Sequence, residues 1–273
     1  MTSPIQPRGG EPPTASLYHA ASGSAFSAFG AIGLVLASMA TLIVTGVAVS
    51  VAGVDMILAV GVGQLGLVAI PLIAMRATSR KPSALGLRRP APHFVAAAVL
   101  VGTSAWYLNM LVVSLLPYEG HEPKIDVERS SLPVVLLAVA LAPAVCEEIV
   151  FRGVLLRGLA SRFRGGIAIV MSAVMFSLYH LNPVQMIPTF TLGLVFGLIA
   201  LRSGTAIPTM LAHMLNNTVA LVVARGELPW LADKDGHGWL ARHPTVAVVG
   251  AATATASGLA LALIGPRPAR GAR

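Results

Sequence analysis

Long apolar runs alternate with short polar stretches along most of the 273-residue chain. A transmembrane helix needs about 20 predominantly apolar residues to cross the hydrocarbon core of a bilayer. The pattern therefore predicts an all-α fold, a polytopic transmembrane helical bundle of about eight spans. The predicted spans cover residues 24–49, 56–75, 94–116, 132–159, 166–180, 183–201, 205–223 and 246–264.

Helix start and stop signals mark the boundaries of the sixth and seventh spans. Asn182 suits an N-cap and Pro183 suits the first helical position, so the sixth span should begin there. Gly204 should end this span, because glycine adopts the left-handed conformation that often closes a helix. Thr205 can then cap the seventh span.

Polar stretches at both ends suggest tails around a single domain. Residues 1–20 are rich in proline and glycine and are predicted to form a disordered N-terminal tail. Residues 21–266 are predicted to form one transmembrane domain, and residues 267–273 a basic C-terminal tail. No internal repeat of a length typical of solenoid proteins is evident.

The composition supports the membrane assignment. The chain is 55% hydrophobic and only 11% charged, whereas soluble domains average about 25% charged residues. The net charge of +8 does not indicate a nucleic-acid partner, because the basic residues lie between apolar segments. Cys146 is the only cysteine, which rules out an intrachain disulfide. The excess of Arg over Lys and the abundance of Ala hint at a bacterial source.

The distribution of basic residues predicts the orientation of the bundle. Loops on the cytoplasmic side carry an excess of Lys and Arg. A cytoplasmic N-terminus places 14 of the 19 basic residues on that side. We therefore expect a multi-pass protein of the bacterial cell membrane with both termini in the cytoplasm. The 14 residues are Arg8, Arg76, Arg80, Lys81, Arg88, Arg89, Arg152, Arg157, Arg162, Arg164, Arg202, Arg267, Arg270 and Arg273.

Three sets of polar residues lie inside predicted spans. An acidic residue at the centre of a membrane helix costs about 2.5–3.5 kcal/mol on insertion scales and usually marks a functional site. The candidate active site is therefore built from the fourth, fifth and seventh spans. Its residues are Glu147, Glu148 and Arg152, then His180, then His213 and Asn217.

Helix geometry indicates which of these side chains can meet. Glu148 and Arg152 are four residues apart, so they share a helix face and can pair. Glu147 is rotated by about 100° from Glu148 and can point elsewhere. Glu147 and His180 lie about 21–22 Å from the turn between their spans, and therefore level with each other. His213 joins this layer only if the hairpin of the fourth and fifth spans projects about 10 Å further into the cytoplasm.

Two chemistries fit this set of residues. Glu147 could act as general base on a water molecule that His180 helps to hold, while His213 and Asn217 donate to the oxygen of a tetrahedral intermediate. Alternatively, Glu147, His180 and His213 could bind zinc, since two His and one Glu form a known catalytic set. The cofactor prediction is therefore none or zinc, and sequence spacing does not decide between them.

The same motifs carry a family resemblance over roughly residues 132–223. In order, they resemble the CPBP family of intramembrane proteases, also called the type II CAAX prenyl endopeptidase or Abi family. Residues 85–90 are also similar to a stretch common in that family. The motifs are Glu147-Glu148-x-x-x-Arg152, Phe176-x-x-x-His180 and His213-x-x-x-Asn217.

The resemblance implies peptide-bond hydrolysis within the membrane, with Glu147 and His180 activating water and with His213 and Asn217 stabilising the oxyanion. The implied partners are the lipid bilayer and a membrane-associated protein or peptide substrate. The family is labelled as metalloproteases, and a metal-free glutamate mechanism is the alternative that we favour slightly. Bacterial members need not act on prenylated CAAX ends.

Several competing interpretations stay open. The chain could be a catalytically silent scaffold or bacteriocin-immunity protein, or a proton-coupled transporter whose carboxylates and histidines relay protons. Glu148 and Arg152 could form a purely structural ion pair. Cys146 could act as a nucleophile, although a small buried thiol is its ordinary interpretation. Phe176 and Tyr179 are predicted to be packing residues.

Overall fold

The computed structural model describes residues 26–116, 130–233 and 235–264. The predicted tails, residues 1–20 and 267–273, lie outside these ranges. The division of the chain into two tails and one domain therefore stays a prediction. Within the described residues the chain is helical and contains no strand.

Eight long helices account for most of the described chain. A 3₁₀ turn, Pro82–Leu85, lies between the second and third, and a single helical turn, Trp239–Arg242, precedes the last. The helices are α1 (Ala28–Val51), α2 (Met56–Ala77), α3 (Pro92–Ser114), α4 (Leu132–Ala160), α5 (Gly165–Tyr179), α6 (Pro183–Ser203), α7 (Ile207–Ala224) and α8 (Pro244–Ile264).

The predicted all-α transmembrane bundle is confirmed. Among the described helices, seven are long and apolar enough to cross a membrane. The exception is α5, predicted as the fifth span, which has only 15 residues. At about 1.5 Å per residue it measures about 22 Å, less than the hydrocarbon thickness of about 30 Å. The chain is thus a multi-pass membrane protein in which α5 is shorter than a standard span.

The predicted boundary signals between α5 and α7 are present. Asn182 Oδ1 accepts hydrogen bonds from the backbone N–H groups of Val184 and Gln185 at 2.9 and 3.1 Å and so caps α6. Gly204 ends the helix with a left-handed φ of 69°. The Thr205 hydroxyl accepts a hydrogen bond from the N–H of Ile207 at 3.2 Å, although Ala206, and not Thr205 as predicted, occupies the N-cap position of α7.

Helix α4 is not a uniform α-helix, although its sequence pattern predicted one. Residues Leu136–Leu141 and Ile149–Leu156 are π-helical. Between them lies the α-helical stretch Ala142–Glu148. A π turn changes the direction of the side chains that follow it and often occurs at functional sites. The two adjacent glutamates therefore lie where the helical pitch changes.

The centre of the bundle is formed by α4. Phe151, Leu155 and Leu159 are almost completely buried there. Large apolar side chains elsewhere point outward, among them Leu65 in α2 and Val246 in α8. Such an outer surface suits contact with lipid.

The connection between α2 and α3 packs against the end of α4. Arg157 donates from Nε to the carbonyl oxygen of Ala84 at 3.2 Å and from Nη1 to that of Gly204 at 3.3 Å. The N–H of Ala206 donates to the carbonyl oxygen of Gly86 at 3.0 Å. The end of α4 therefore fastens the 3₁₀ turn to the α6–α7 turn.

The start of α1 and the end of α8 lie at this same end of the bundle. A Cβ added at Gly158 would lie 3.2 Å from the carbonyl oxygen of Ser27, just before α1. Arg202 donates to the carbonyl oxygen of Ala262 in α8 at 3.2 Å. The helices therefore alternate in direction. We call this end, with the connecting residues 78–91, 161–164 and 204–206, the basic end.

Two arginines that the orientation argument counted on the cytoplasmic side are buried inside the bundle. Arg152 and Arg157 lie within α4 and are only 2% and 7% exposed. Both are held by hydrogen bonds inside the protein, because a guanidinium group buried without partners would be costly. Their charges therefore belong to the interior of the bundle.

Candidate active site

Glu147 and Glu148 are the centre of the candidate site. Their exposed fractions are 3% and 0%. A buried carboxylate is tolerated only when hydrogen bonds or cations compensate for lost solvation. The two neighbours meet this requirement with different partners, because the helix turns them in different directions.

Glu148 contacts a guanidinium group and an imidazole ring. Its Oε1 accepts a hydrogen bond from Arg152 Nη1 at 2.9 Å and lies 3.1 Å from His213 Nδ1. The Arg152 guanidinium also stacks over the rings of Phe176 and Phe196, with centroid distances of 4.3 and 5.4 Å. The structure thus contains the predicted pair of Glu148 and Arg152, and it adds His213 to that pair.

The two oxygens of Glu147 have unequal surroundings. Oε1 accepts a hydrogen bond from Gln64 Nε2 at 2.8 Å and lies 3.4 Å from the hydroxyl of Tyr179, which can donate to it. Oε2 has no hydrogen-bond partner within the described ranges. It lies 3.9 Å from His213 Nε2, a separation that one water molecule can bridge. Oε2 is therefore the oxygen available for chemistry.

His213 connects the two carboxylates. Its Nδ1 is directed at Glu148 and its Nε2 faces Glu147. The two ring nitrogens therefore have different neighbours, and a proton on Nδ1 can be donated to Glu148. His213 therefore lies in the same layer as the glutamates, as the sequence argument required.

His180 lies immediately after α5, beside the site. Its Nδ1 lies 2.9 Å from the carbonyl oxygen of Phe176, to which a protonated Nδ1 donates. Its ring packs edge-on against Phe176 and Tyr179, with centroid distances of 5.0 and 5.1 Å. The structure records no hydrogen bond from His180 to the glutamates within the described residues.

Asn217 lies one helical turn after His213 and has other partners. Its Nδ2 donates to the carbonyl oxygen of Val139 at 3.2 Å, and its Oδ1 accepts from Asn216 at 3.1 Å. In the described part of the chain it makes no hydrogen bond to the other five predicted site residues. Its remaining amide hydrogen is the only donor that it can offer to a substrate.

Two residues contact Glu147 in ways that the sequence did not predict. Tyr179 packs against Phe151, as predicted, and in addition its hydroxyl lies within hydrogen-bond distance of Glu147 and Gln64. Gln64 was not predicted at all, although a single amide within the apolar residues 56–75 is a usable signal. Phe176 does pack, as predicted, against Arg152 and Phe151.

The zinc alternative finds no support in the donor geometry. Residues 26–116, 130–233 and 235–264 contain no group of three or more His, Cys, Asp or Glu side chains placed to hold a metal ion. The predicted trio Glu147, His180 and His213 is therefore not such a group. Cys146 is buried in an apolar cluster with Ile149 and Val154, as an ordinary structural thiol would be.

The fold and these contacts define a multi-pass membrane protein with a cluster of carboxylate, imidazole and guanidinium side chains buried inside its helical bundle. Residues 129–219 match the family model of the Rce1-like type II CAAX prenyl endopeptidases. Over this region, about a third of the chain, the protein is similar to that family of endopeptidases. The match contains all six predicted site residues and omits α1, α2, α3 and α8. Neither a curated protein nor a solved structure matches the chain.

Proposed function

We propose that this protein is an intramembrane endopeptidase that hydrolyses a peptide bond of a membrane-associated protein or peptide. One observation carries the proposal. Glu147 Oε2 is buried, lacks a hydrogen-bond partner among the described residues and lies 3.9 Å from His213 Nε2. A carboxylate oxygen in such a position is suited to act as a general base.

In the first step Glu147 Oε2 takes a proton from a water molecule. The water oxygen bonds to the carbonyl carbon of the scissile peptide, and the carbonyl π electrons move onto its oxygen. In the second step the C–N bond breaks and the proton on Glu147 passes to the departing nitrogen. Glu147 returns to the carboxylate form, and the products are a carboxylic acid and an amine.

His213 stabilises the oxyanion in this mechanism. In its cationic form, His213 donates from Nδ1 to Glu148 and from Nε2 toward the reacting oxygen. Glu148, itself held by Arg152, offsets the positive charge and fixes the orientation of the ring. A donor fixed before the reaction stabilises developing negative charge without reorganisation.

His180 and Asn217 complete the proposed site. With Nδ1 donating to the carbonyl oxygen of Phe176, His180 offers the lone pair of Nε2 to the second hydrogen of the water. Asn217 gives one amide hydrogen to Val139 and keeps the other for the oxyanion. Both proposed roles are compatible with the hydrogen bonds that His180 and Asn217 make in the structure.

The proposed setting is a bacterial cell membrane, with the basic end in the cytoplasm. The basic connections support this orientation because Lys and Arg concentrate on the cytoplasmic side. The apolar outer surface supports direct contact with lipid. A substrate therefore reaches the site from within the membrane or from its cytoplasmic face.

The decisive experiment compares Glu147→Gln with the native protein in detergent, using a fluorogenic peptide with a CAAX-type end and, in cells, membrane peptides. We expect turnover to fall by on the order of 10²- to 10⁴-fold, the usual contribution of a general base. Glu227→Gln is the matched control, because Glu227 is partly exposed in the loop after α7. It should retain full turnover.

Two outcomes would contradict the proposal. Full turnover by Glu147→Gln would remove the general base. Membrane peptides that bind equally to both proteins and are cleaved by neither would support the silent scaffold instead. The same assay with a metal chelator should show unchanged turnover. Loss of activity that added zinc restores would return Glu147, His180 and His213 to the role of ligands.

A further inference from the structure

Gln64 is a buried amide in an apolar helix. Apart from Arg76 in the last turn, Gln64 is the only polar side chain in α2, and it is only 5% exposed. An amide buried without hydrogen bonds would destabilise the fold. It is therefore significant that the hydrogen bonds of Gln64 lead to Glu147 and not to the backbone of a neighbouring helix.

The contacts of Gln64 form a closed triangle with two site residues. Gln64 Nε2 carries two hydrogens, and it lies 2.8 Å from Glu147 Oε1 and 3.2 Å from the hydroxyl oxygen of Tyr179. The Tyr179 hydroxyl in turn lies 3.4 Å from the same oxygen of Glu147. Both donors therefore converge on Oε1 and leave Oε2 without a partner in the described chain.

Packing around α2 is close enough to fix this triangle. A Cβ added at Gly63 would lie 2.8 Å from Leu42 Cδ1 in α1. A Cβ added at Gly61 would lie 3.7 Å from Ala138 Cβ in α4. Small residues thus allow α2 to approach both neighbours, and this places the amide of Gln64 at the carboxylate.

We propose that Gln64 is a positioning residue of the catalytic site, which clamps Oε1 of Glu147 and thereby assigns the base function to Oε2. The inference rests on the proposed hydrolysis by Glu147. A carboxylate side chain can otherwise rotate about its terminal torsion, which is broad. The clamp removes this freedom and keeps Oε2 directed toward Nε2 of His213, where the proposed hydrolysis places its water molecule.

The test measures kcat and KM for Gln64→Met, which keeps the length and removes the donor. We expect kcat to fall about 10- to 100-fold, equivalent to one hydrogen bond to a charged group, with KM within about twofold of the native value. Ser104→Ala is the matched control. It removes a partly buried hydrogen bond of 2.7 Å to Thr255, between α3 and α8 and away from the site, and should leave kcat unchanged.

A second variant, Gln64→Glu, separates positioning from packing. Two carboxylates at this distance cannot both be ionised at low cost and must share a proton. The shared proton restores a donor to Glu147, so turnover should recover as pH falls and decline as pH rises, relative to the native profile. A purely structural residue would not produce this shift.

The inference would be overturned by native kcat for Gln64→Met, by an equal loss for Ser104→Ala, or by a native pH profile for Gln64→Glu. These failures differ from failure of the proposed function. If Glu147→Gln is inactive while Gln64→Met is native, the hydrolysis stands and only the clamp is wrong. If Glu147→Gln keeps full turnover, the proposed function itself is wrong.

Discussion

At the scale of single residues, the adjacent carboxylates of Glu147 and Glu148 have different hydrogen-bond partners. Glu148 is surrounded by a guanidinium and an imidazole, whereas Glu147 is held by a neutral amide and a phenol. Oε1 of Glu148 is held by Arg152 and His213, whereas Oε2 of Glu147 faces Nε2 of His213 at 3.9 Å. The first is therefore suited to hold His213, and the second to take a proton from water.

This division predicts a large structural cost for Arg152→Met. Removing one partner of a buried ion pair leaves the other charge uncompensated, which costs about 3–5 kcal/mol. The free energy of unfolding, measured by denaturant titration in mixed micelles, should fall by about this amount. Arg162→Met is the control, because Arg162 is exposed between α4 and α5 and should change stability by less than about 0.5 kcal/mol. Equal effects of both changes would contradict a stabilising ion pair.

At the scale of elements, the position of α7 against α3 determines where His213 lies. A Cβ added at Gly102 in α3 would lie 2.5 Å from the carbonyl oxygen of Ala212 and 2.9 Å from Leu215 Cβ. Both atoms belong to α7, close to His213. Because backbone atoms cannot turn aside as a flexible side chain can, any added atom at Gly102 must displace the helix itself.

Gly102→Ala should therefore lower kcat. A displacement of about 1 Å at a catalytic group can cost on the order of 10²-fold in rate. The matched control is Gly46→Ala in α1, where an added Cβ meets no atom within 4 Å. That control should keep native turnover and gain slightly in stability, since alanine favours a helix by roughly 0.5–1 kcal/mol over glycine. Native kcat for Gly102→Ala would show that this contact does not position His213.

At the scale of the whole molecule, consecutive helices run in opposite directions, so the segments that connect them lie at the two ends of the bundle. The basic end holds residues 78–91, 161–164 and 204–206, and the loop between α7 and α8 lies at the other. The burial of Arg152 and Arg157 removes two charges from the orientation argument, but the remaining basic residues still concentrate at the basic end. The bundle should therefore have one preferred orientation.

Cysteine labelling tests this orientation. In a Cys146→Ser background, Arg80→Cys places a thiol at the basic end and Asp235→Cys places one in the loop after α7. A membrane-impermeant maleimide should label Asp235→Cys in intact cells, and Arg80→Cys only after permeabilisation. The reverse result would indicate the inverted orientation, and equal labelling of both would contradict the alternating bundle. The background variant should also retain turnover, because Cys146 belongs to an apolar cluster.

The sequence alone determined the features that depend on neighbours within one or two helical turns. Apolar run lengths predicted the helices, Asn182 and Gly204 marked the ends of α6, and a spacing of four residues predicted the pair of Glu148 and Arg152. Helical periodicity encodes such relations directly. The predicted motifs also identified the region that matches the protease family.

Only the tertiary structure decided which atoms of the site are occupied and which are free. Gln64 lies 83 residues before Glu147, and His213 lies 65 residues after Glu148. Such contacts depend on how closely helices approach, which is set by small residues such as Gly63 and by π turns in α4. Neither of these is visible in an apolar pattern. For this reason the sequence indicated the residues of the site, while the packing of α2 and α7 against α4 placed Oε1 of Glu147 against Gln64 and its Oε2 opposite His213.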